Sequence, residues 1–354
     1  MQVNVRLSPE KFCHRVDRLS GGGTIARAKR CTFLPLWVRH YEYNPMKIIR
    51  GTKNIFGPIS YPVVAIGNFD GVHIGHQIIF HKAVELASAN EGTSVAFTFE
   101  PHPLKVTAPK RAPFLLTTFR KKMELIAEHG IGHVICADFT RQFADQHPRD
   151  FARDILVERI GVREVVVGFD YAFGRGREGT VRYLKEMGEE YGFQVHVVEP
   201  VRLHGHLVSS SHVRELIEDG EVGAASEFLG RYYSIPGPVV SGYKTGQAIG
   251  FPTANLDTSR VQIPGTGVYA VWVWHGGEKY NGVVNVGFNP TFDRDALNVE
   301  AHIFDFEKKI YGQEIEVVFI RRIRSEIKFD SSNQLVEQIQ KDIEAAKTIL
   351  ADLP

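Results

Sequence analysis

Two histidines, His73 and His76, close the string Gly67-Asn68-Phe69-Asp70-Gly71-Val72-His73-Ile74-Gly75-His76. Gly67, Gly71 and Gly75 let the backbone turn tightly and approach a ligand without a Cβ in the way. A helical pattern follows, and the free N–H groups and dipole of a helix N-terminus favour an anion. Two imidazoles held there can donate hydrogen bonds to phosphate oxygens as charge builds in a transition state. A second Gly-rich stretch reads Gly242-Tyr243-Lys244-Thr245-Gly246, then Gly250-Phe251-Pro252-Thr253-Ala254-Asn255. Its backbone and small polar side chains also suit phosphate. Each motif alone has a plainer reading, a Gly-rich strand-to-helix turn for the first and a turn between strands for the second. Zinc fits poorly, because neither H-E-x-x-H nor a cysteine pair accompanies the histidines.

Those residues need elements to position them. Between Tyr61 and about Val198, near-continuous apolar runs predict strands at 63–67, 95–99, 133–137, 165–168 and 195–198. Helix-period segments alternate with them at 76–89, 119–129, 149–159 and 180–191. Strands buried on both faces and alternating with helices predict a doubly wound, Rossmann-like α/β sheet. Ligands of such sheets bind beyond the carboxyl ends of the strands, which is where the Gly67–His76 string falls. Two short helical patterns, 211–219 and 222–229, lead to Gly230, where the style changes. Short β-type runs follow around Val271–Trp274, Tyr280–Gly287, Val299–Phe306 and Ile315–Arg321. About six short strands in so few residues predict a small antiparallel barrel. Ser331-Ser332-Asn333-Gln334 resembles a capping box, and Leu335, Ile339, Ile343, Ala346 and Leu350 then share one face of a closing helix. The expected division is an extension over 1–45, an α/β domain over 46–230 and a barrel with its helix over 231–354.

Composition supports two ordinary globular cores. The chain has 354 residues and a formal net charge of +1, a length that favours about two domains. No general basic field argues for nucleic acid, and no apolar run approaches the ~20 residues of a membrane span. Cys13, Cys31 and Cys136 have neither disulfide-framework nor zinc spacing, so a reducing cytoplasm is the expected setting. In residues 1–45, eight Lys/Arg face three Asp/Glu without a secretory apolar core. An organelle transit peptide would share that bias, but a disordered extension, or sequence upstream of a true start at Met46, is the expectation. Self-association is compatible with this composition.

The ten-residue string resembles the H-x-G-H motif of the nucleotidyltransferase superfamily, in the form found in the adenylyltransferase module of bacterial FAD synthetases. Val208-Ser209-Ser210-Ser211-His212-Val213-Arg214 is similar to that family's I-S-S-T-x-I-R. The resemblance implies that His73, His76 and Arg214 are catalytic, and that Gly67, Asn68, Phe69, Asp70, Gly71, Ser209, Ser210 and Ser211 meet the nucleotide. Serine hydroxyls and an arginine at a helix start can grip the β,γ-phosphates that leave as pyrophosphate. Phe99-Glu100-Pro101-His102-Pro103 resembles F-x-P-H-P, and Gly168-Phe169-Asp170-Tyr171-Ala172-Phe173-Gly174 resembles V-G-x-D-F-x-F-G with Tyr171 for Phe. These imply that His102, Pro103 and Asp170 hold a flavin.

The second stretch resembles the riboflavin kinase module, whose P-T-A-N motif implies Thr253 and Asn255 as ligands of Mg²⁺ beside ATP phosphates. Gly242, Lys244, Thr245 and Gly246 then meet the nucleotide, and Gln247 replaces the arginine of many members. Asn289-Pro290-Thr291-Phe292 and the run from Asn298 to Phe306 are similar to N-P-T-F and x-V-E-x-H-x-x-D-F. The latter implies Glu300 as the base for a ribityl hydroxyl; alone, it would read as an ordinary exposed strand glutamate. Tyr311-Gly312 and the run from Arg322 to Phe329 fit Y-G and R-x-R-x-E-x-K-F. Together these imply a bifunctional enzyme: riboflavin phosphorylated by ATP to FMN, then FMN adenylylated by a second ATP to FAD. Chain order would be the reverse of reaction order. One rival keeps a single live activity, most readily the kinase. The other is a flavin-sensing regulator without turnover, against which His73, His76, Arg214 and Glu300 all argue.

Overall fold

The computed structural model describes residues 46–241, 250–258, 261–288, 297–351 and 353. The expectations for 1–45, for Gly242, Lys244, Thr245 and Gly246, and for Asn289 to Phe292 fall outside these residues.

The first layer is a six-stranded parallel sheet: β1 (Lys47–Arg50), β2 (Pro62–Ile66), β3 (Thr93–Glu100), β4 (His133–Asp138), β5 (Glu164–Gly168) and β8 (Gln194–Val198). Its order is β1-β4-β3-β2-β5-β8. Every residue of β2 is buried, as expected of a central strand covered on both faces. Helices α1 (Ile74–Ala89), α3 (Phe119–Glu128) and α6 (Val181–Tyr191) follow the predicted pattern. Short α2 (Pro103–Thr107), α4 (Arg141–Ala144) and α5 (Pro148–Asp150) add to the predicted pattern, and α5 runs on as a π-helical stretch, Phe151–Ile160. Strand order reverses between β2 and β5, so the crevice that an open α/β sheet offers to ligands lies where β2 ends.

Small ribbons β6 (Ala172–Phe173) with β7 (Gly179–Thr180), and β9 (Arg202–Leu203) with β10 (His206–Leu207), precede α7 (Ser210–Glu218) and α8 (Val222–Leu229). A closed antiparallel barrel follows, formed by β11 (Tyr233–Val240), β12 (Ala254–Leu256), β13 (Gly267–His275), β14 (Glu278–Phe288), β15 (Leu297–Ile303) and β16 (Glu314–Arg324). Its order is β11-β12-β15-β14-β13-β16. Alternating residues Tyr233, Ile235 and Val239 of β11 point inward with Tyr269, Val271, Val317 and Phe319. Val213 and Ile217 of α7 and Val222, Phe228 and Leu229 of α8 bury into the same cluster, so these helices share the barrel's core. The last helix, α9 (Ser332–Ala351), lays Ala346 and Leu350 against Val268, Ala270, Val283 and Ile320 on the barrel's outer wall. At its start Gln334 N donates to Ser331 Oγ (3.4 Å), while the Gln334 side chain accepts from Asp330 N (3.2 Å), one residue earlier than a standard capping box.

Candidate active sites

The loop after β2 is held in an expensive backbone shape. Phe69 (φ 52°) and Val72 (φ 42°) occupy the left-handed region, which is costly for bulky and β-branched residues. Gly71 (φ 81°) lies where a Cβ would come within 2.7 Å of Leu116 Cδ1, so glycine is required there. His73 caps α1, its Nδ1 accepting from His76 N at 3.4 Å. That bond leaves the proton of a neutral His73 on Nε2, where it can be donated. The His76 ring stacks on His73 with centroids 3.6 Å apart and planes at 18°, and Phe69 meets it edge-on. Burial, then the charge of Arg231, lowers the His73 pKa to about 4. Burial, then His73, Lys122 and Arg231, holds His76 well below its usual value. Both rings are therefore neutral donors near pH 7, and His76 Nδ1 is buried without a partner.

Asp70 joins segments far apart in sequence. Its carboxylate accepts from Leu116 N (3.0 Å), Thr117 N (3.2 Å) and Thr117 Oγ1 (3.3 Å), and pairs with Arg214 Nη2 at 2.5 Å. Arg214 Nε also donates to Phe114 O at 2.9 Å. Ser210 Oγ donates to Asp70 O at 2.9 Å, so the two strings predicted to meet the nucleotide do touch. Ser209 acts as the N-cap of α7, accepting from His212 N at 3.2 Å, and Ser211 is exposed. His102 caps α2 and lines a crevice with Asn68, Asp70, Pro103, Thr117 and Lys122. Asp170 is exposed beyond β5, so His102 and Asp170 leave strands on opposite sides of β2. Beside Asp170, Tyr171 stacks on Phe173 with its hydroxyl buried and unpartnered.

Lys122 was missed. Its ammonium is buried and reaches Asn68 O (3.3 Å), Thr98 Oγ1 (3.3 Å) and Phe99 O (3.5 Å), all neutral acceptors. Burial lowers its pKa. The available signal was its place on the apolar face of α3 with Met123 and Ile126, where an unpaired lysine is unusual.

The second site lies on the barrel. Register sets Asn255 of β12 opposite Glu300 of β15, and Glu300 opposite Asn285 of β14. Leu256, Val299, Ala301, Val284 and Val286 fill the barrel core, so strand alternation turns this polar row to the other face. Thr253 hydrogen-bonds the Glu300 carboxylate; burial raises the pKa of that group more than this bond lowers it. His302 Nδ1 lies 2.9 Å from Pro252 O, tying the segment before β12 to β15. The sequence-predicted Thr253, Asn255 and Glu300 are thus brought together, while Asn285 was not foreseen. Among the described residues, no group of three or more His, Cys, Asp or Glu suits a metal ion. A cation beside Thr253 and Asn255 would therefore take most of its ligands from phosphate and water, the habit of Mg²⁺.

Residues 59–212 match the FAD synthetase family model, and residues 229–350 match the riboflavin kinase model. A bifunctional riboflavin kinase/FMN adenylyltransferase of Escherichia coli K12 is 39% identical over 299 residues, covering 84% of this chain and 96% of the relative. The enzyme of the same description from Haemophilus influenzae is 38% identical over 303 residues, covering 85% and 98%. A solved structure from Streptococcus pneumoniae, described as a macrolide-efflux protein, superposes with a TM-score of 0.76 at 33% identity, covering 85% of this chain and 98% of that one. No helix among the described residues is long and apolar enough to cross a membrane. With both segments matched in order and relatives aligned nearly end to end, the chain belongs to the bifunctional riboflavin kinase/FMN adenylyltransferase family.

Proposed function

We propose that this protein makes FAD in two steps, phosphorylating riboflavin with ATP to FMN and then transferring AMP from a second ATP to FMN with release of pyrophosphate. The observation that carries the reading is the occurrence, in one chain, of both matched segments, each with its own converging polar side chains. We assign adenylylation to 46–230 and phosphorylation to 231–354.

In the kinase step, Glu300 takes the proton of the ribityl 5′-hydroxyl, whose oxygen bonds to the γ-phosphorus as the bond to the β-phosphate oxygen breaks. A carboxylate with a raised pKa is the better proton acceptor for this task. Thr253 orients that carboxylate, and Thr253 and Asn255 would hold Mg²⁺, which when bound neutralises charge on the phosphates. Gly242, Lys244, Thr245 and Gly246 complete the nucleotide contacts in this proposal.

In the adenylyl step, an FMN phosphate oxygen attacks the α-phosphorus and pyrophosphate leaves, so no enzyme nucleophile is needed. His73 and His76, kept neutral, donate hydrogen bonds to the transferring phosphate, and positioning supplies much of the rest. Gly67, Asn68, Phe69 and Gly71 line the nucleotide. Asp70 acts chiefly by orienting Arg214, which with Ser209, Ser210 and Ser211 receives the departing pyrophosphate. His102, Pro103 and Asp170 face the flavin from either side of the loop. The cytoplasm supplies both ATP and a reducing setting, consistent with a buried free thiol at Cys136.

The test is a coupled assay with riboflavin, ATP and Mg²⁺, with products separated by chromatography. FMN should appear first and FAD after it. FMN accumulating without FAD would reduce the protein to a kinase, and binding without turnover would make it a flavin sensor.

A further inference from the structure

Arg231 lies within the segment matching riboflavin kinase, yet its guanidinium hydrogen-bonds the loop that carries His73 and His76. Nη2 donates to Gly71 O at 2.7 Å, and Nη1 to Val72 O at 3.2 Å and to Leu229 O at 3.4 Å. Each acceptor is a neutral backbone carbonyl, and Nε is buried without a partner. Desolvation pulls the Arg231 pKa down to about 10. An enclosed guanidinium whose hydrogen bonds go to carbonyls, with the carboxylates of Glu128 and Glu316 acting on it through space, is a costly arrangement. It coincides with another: Val72 is a β-branched residue at φ 42°. Such a conformation persists only where its surroundings over-determine it. Val72 O receives a second donor, Gln77 Nε2 at 2.9 Å, and the same amide donates to Leu229 O at 2.8 Å. Chain from the junction therefore clamps the strained peptide from one side. Peptide planarity turns the His73 N–H to the opposite side, at the start of α1.

We propose that Arg231 is a positioning residue for FMN adenylylation: it fixes the Gly71 and Val72 carbonyls so that His73 and His76 keep their stacked, ligand-facing arrangement. The adenylyltransferase site is then complete only with a side chain supplied from the kinase segment. This rests on the assignment of adenylylation to the His73–His76 loop. His73 is faced by His76, Arg231 and Arg214, and His76 by His73, Lys122 and Arg231. Removing Arg231 leaves the other charges in place.

The experiment uses the full chain with Arg231→Met and Arg231→Lys, assaying riboflavin phosphorylation and adenylylation of supplied FMN separately. Arg231→Met should lower kcat for adenylylation about 10- to 100-fold, the scale of a misplaced catalytic group, with phosphorylation unchanged. Arg231→Lys should recover part of the loss, because it restores charge and donors without the fork. The acid limb of the adenylylation profile should move to higher pH in Arg231→Met, since a cation that disfavours protonated His73 is gone. A purely structural role would lower both activities together, leave the acid limb in place and overturn the proposal, as would wild-type adenylylation by Arg231→Met. If Arg231→Met does not fold, the lysine variant decides: adenylylation reduced with phosphorylation intact supports the proposal, and any other pattern overturns it. His76→Ala separates the two levels. Full adenylylation by His76→Ala removes the site assignment itself, whereas its loss beside an unaffected Arg231→Met removes only the role of Arg231.

Discussion

The two sites are built in opposite ways. The site we propose for adenylylation is a loop at the end of a buried parallel strand, with left-handed residues, neutral stacked histidines and cations gripping its carbonyls. The site we propose for phosphorylation is, among the described residues, a polar row across three antiparallel strands, Asn255 to Glu300 to Asn285, with Thr253 just before the first of them. A loop site concentrates its groups in sequence and spends stability to hold them. A cross-strand site disperses its groups and inherits their placement from register, which the barrel core already fixes. Damage to the first should therefore spread through a held loop, and damage to the second should stay local.

Glu300→Ala tests that contrast most severely. Removing a general base costs about 10²- to 10⁴-fold, so FMN formation should nearly vanish. Adenylylation of supplied FMN should stay within about twofold, because a half-buried strand residue is exchanged without disturbing the core. His76→Ala is the counterpart, with adenylylation reduced about 10²- to 10³-fold, the cost of one transition-state donor, and phosphorylation preserved. Separate assays of the two half-reactions check both variants. Either substitution disabling both reactions in a folded protein would end the division of labour.

The same contrast governs what could be read from the sequence. The Gly67–His76 string was legible because its chemistry is contiguous, and its place beyond β2 follows from a run of buried residues. The sequence marks Asp70 as a nucleotide contact, but its anchors at Leu116, Thr117 and Arg214 come from distant segments that no local pattern joins. Strand β11 escaped notice because Pro236-Gly237-Pro238 reads as a strand breaker. Both prolines turn their missing N–H away from β16, to the side where β12 pairs only with Val239 and Val240, so the ladder tolerates them while Ile235 and Val239 still fill the core. Strand β12 has only three residues inside a motif that reads as a turn. On α9 the apolar stripe was visible, but not the buried Asp342 beside it, which needs Arg324 of β16 at 2.7 Å. Pairings across the sheet and between segments were the illegible part.

Acid should strain the loop-built half. His73 and His129 have pKa values lowered to about 4 by burial, from an ordinary value of 6.5. An unfolded chain therefore binds protons at pH values where the folded one does not. Stability from this source is fully present above the unfolded pKa and is lost as pH falls from about 6.5 towards 4. For His73 alone the loss is on the order of 3 kcal/mol. His76, His81, His102 and His133 shift in the same direction. All of these residues precede the barrel, so hydrogen exchange at pH 5 should accelerate in the α/β half before the barrel. A melting temperature that stays flat from pH 7 to 4.5 would contradict the burial of these rings.

The smallest expected effect probes the kinase row at its outer member. Asn285 is exposed on β14 yet stands opposite Glu300. A Cβ added at Gly287 would lie 3.2 Å from Asn285 Nδ2, so the amide lies against the Gly287 backbone. Asn285→Ala removes one polar neighbour of the base without opening a cavity. Surface substitutions of this kind change stability by about 0.5 kcal/mol or less, so the melting temperature should barely move. Riboflavin phosphorylation should nevertheless slow by a few-fold, about the value of one hydrogen bond, with adenylylation untouched. An unchanged phosphorylation rate would confine the functional row to Asn255 and Glu300. A loss as deep as that of Glu300→Ala would mean that register holds the base through Asn285 as firmly as Arg231 holds the histidine loop.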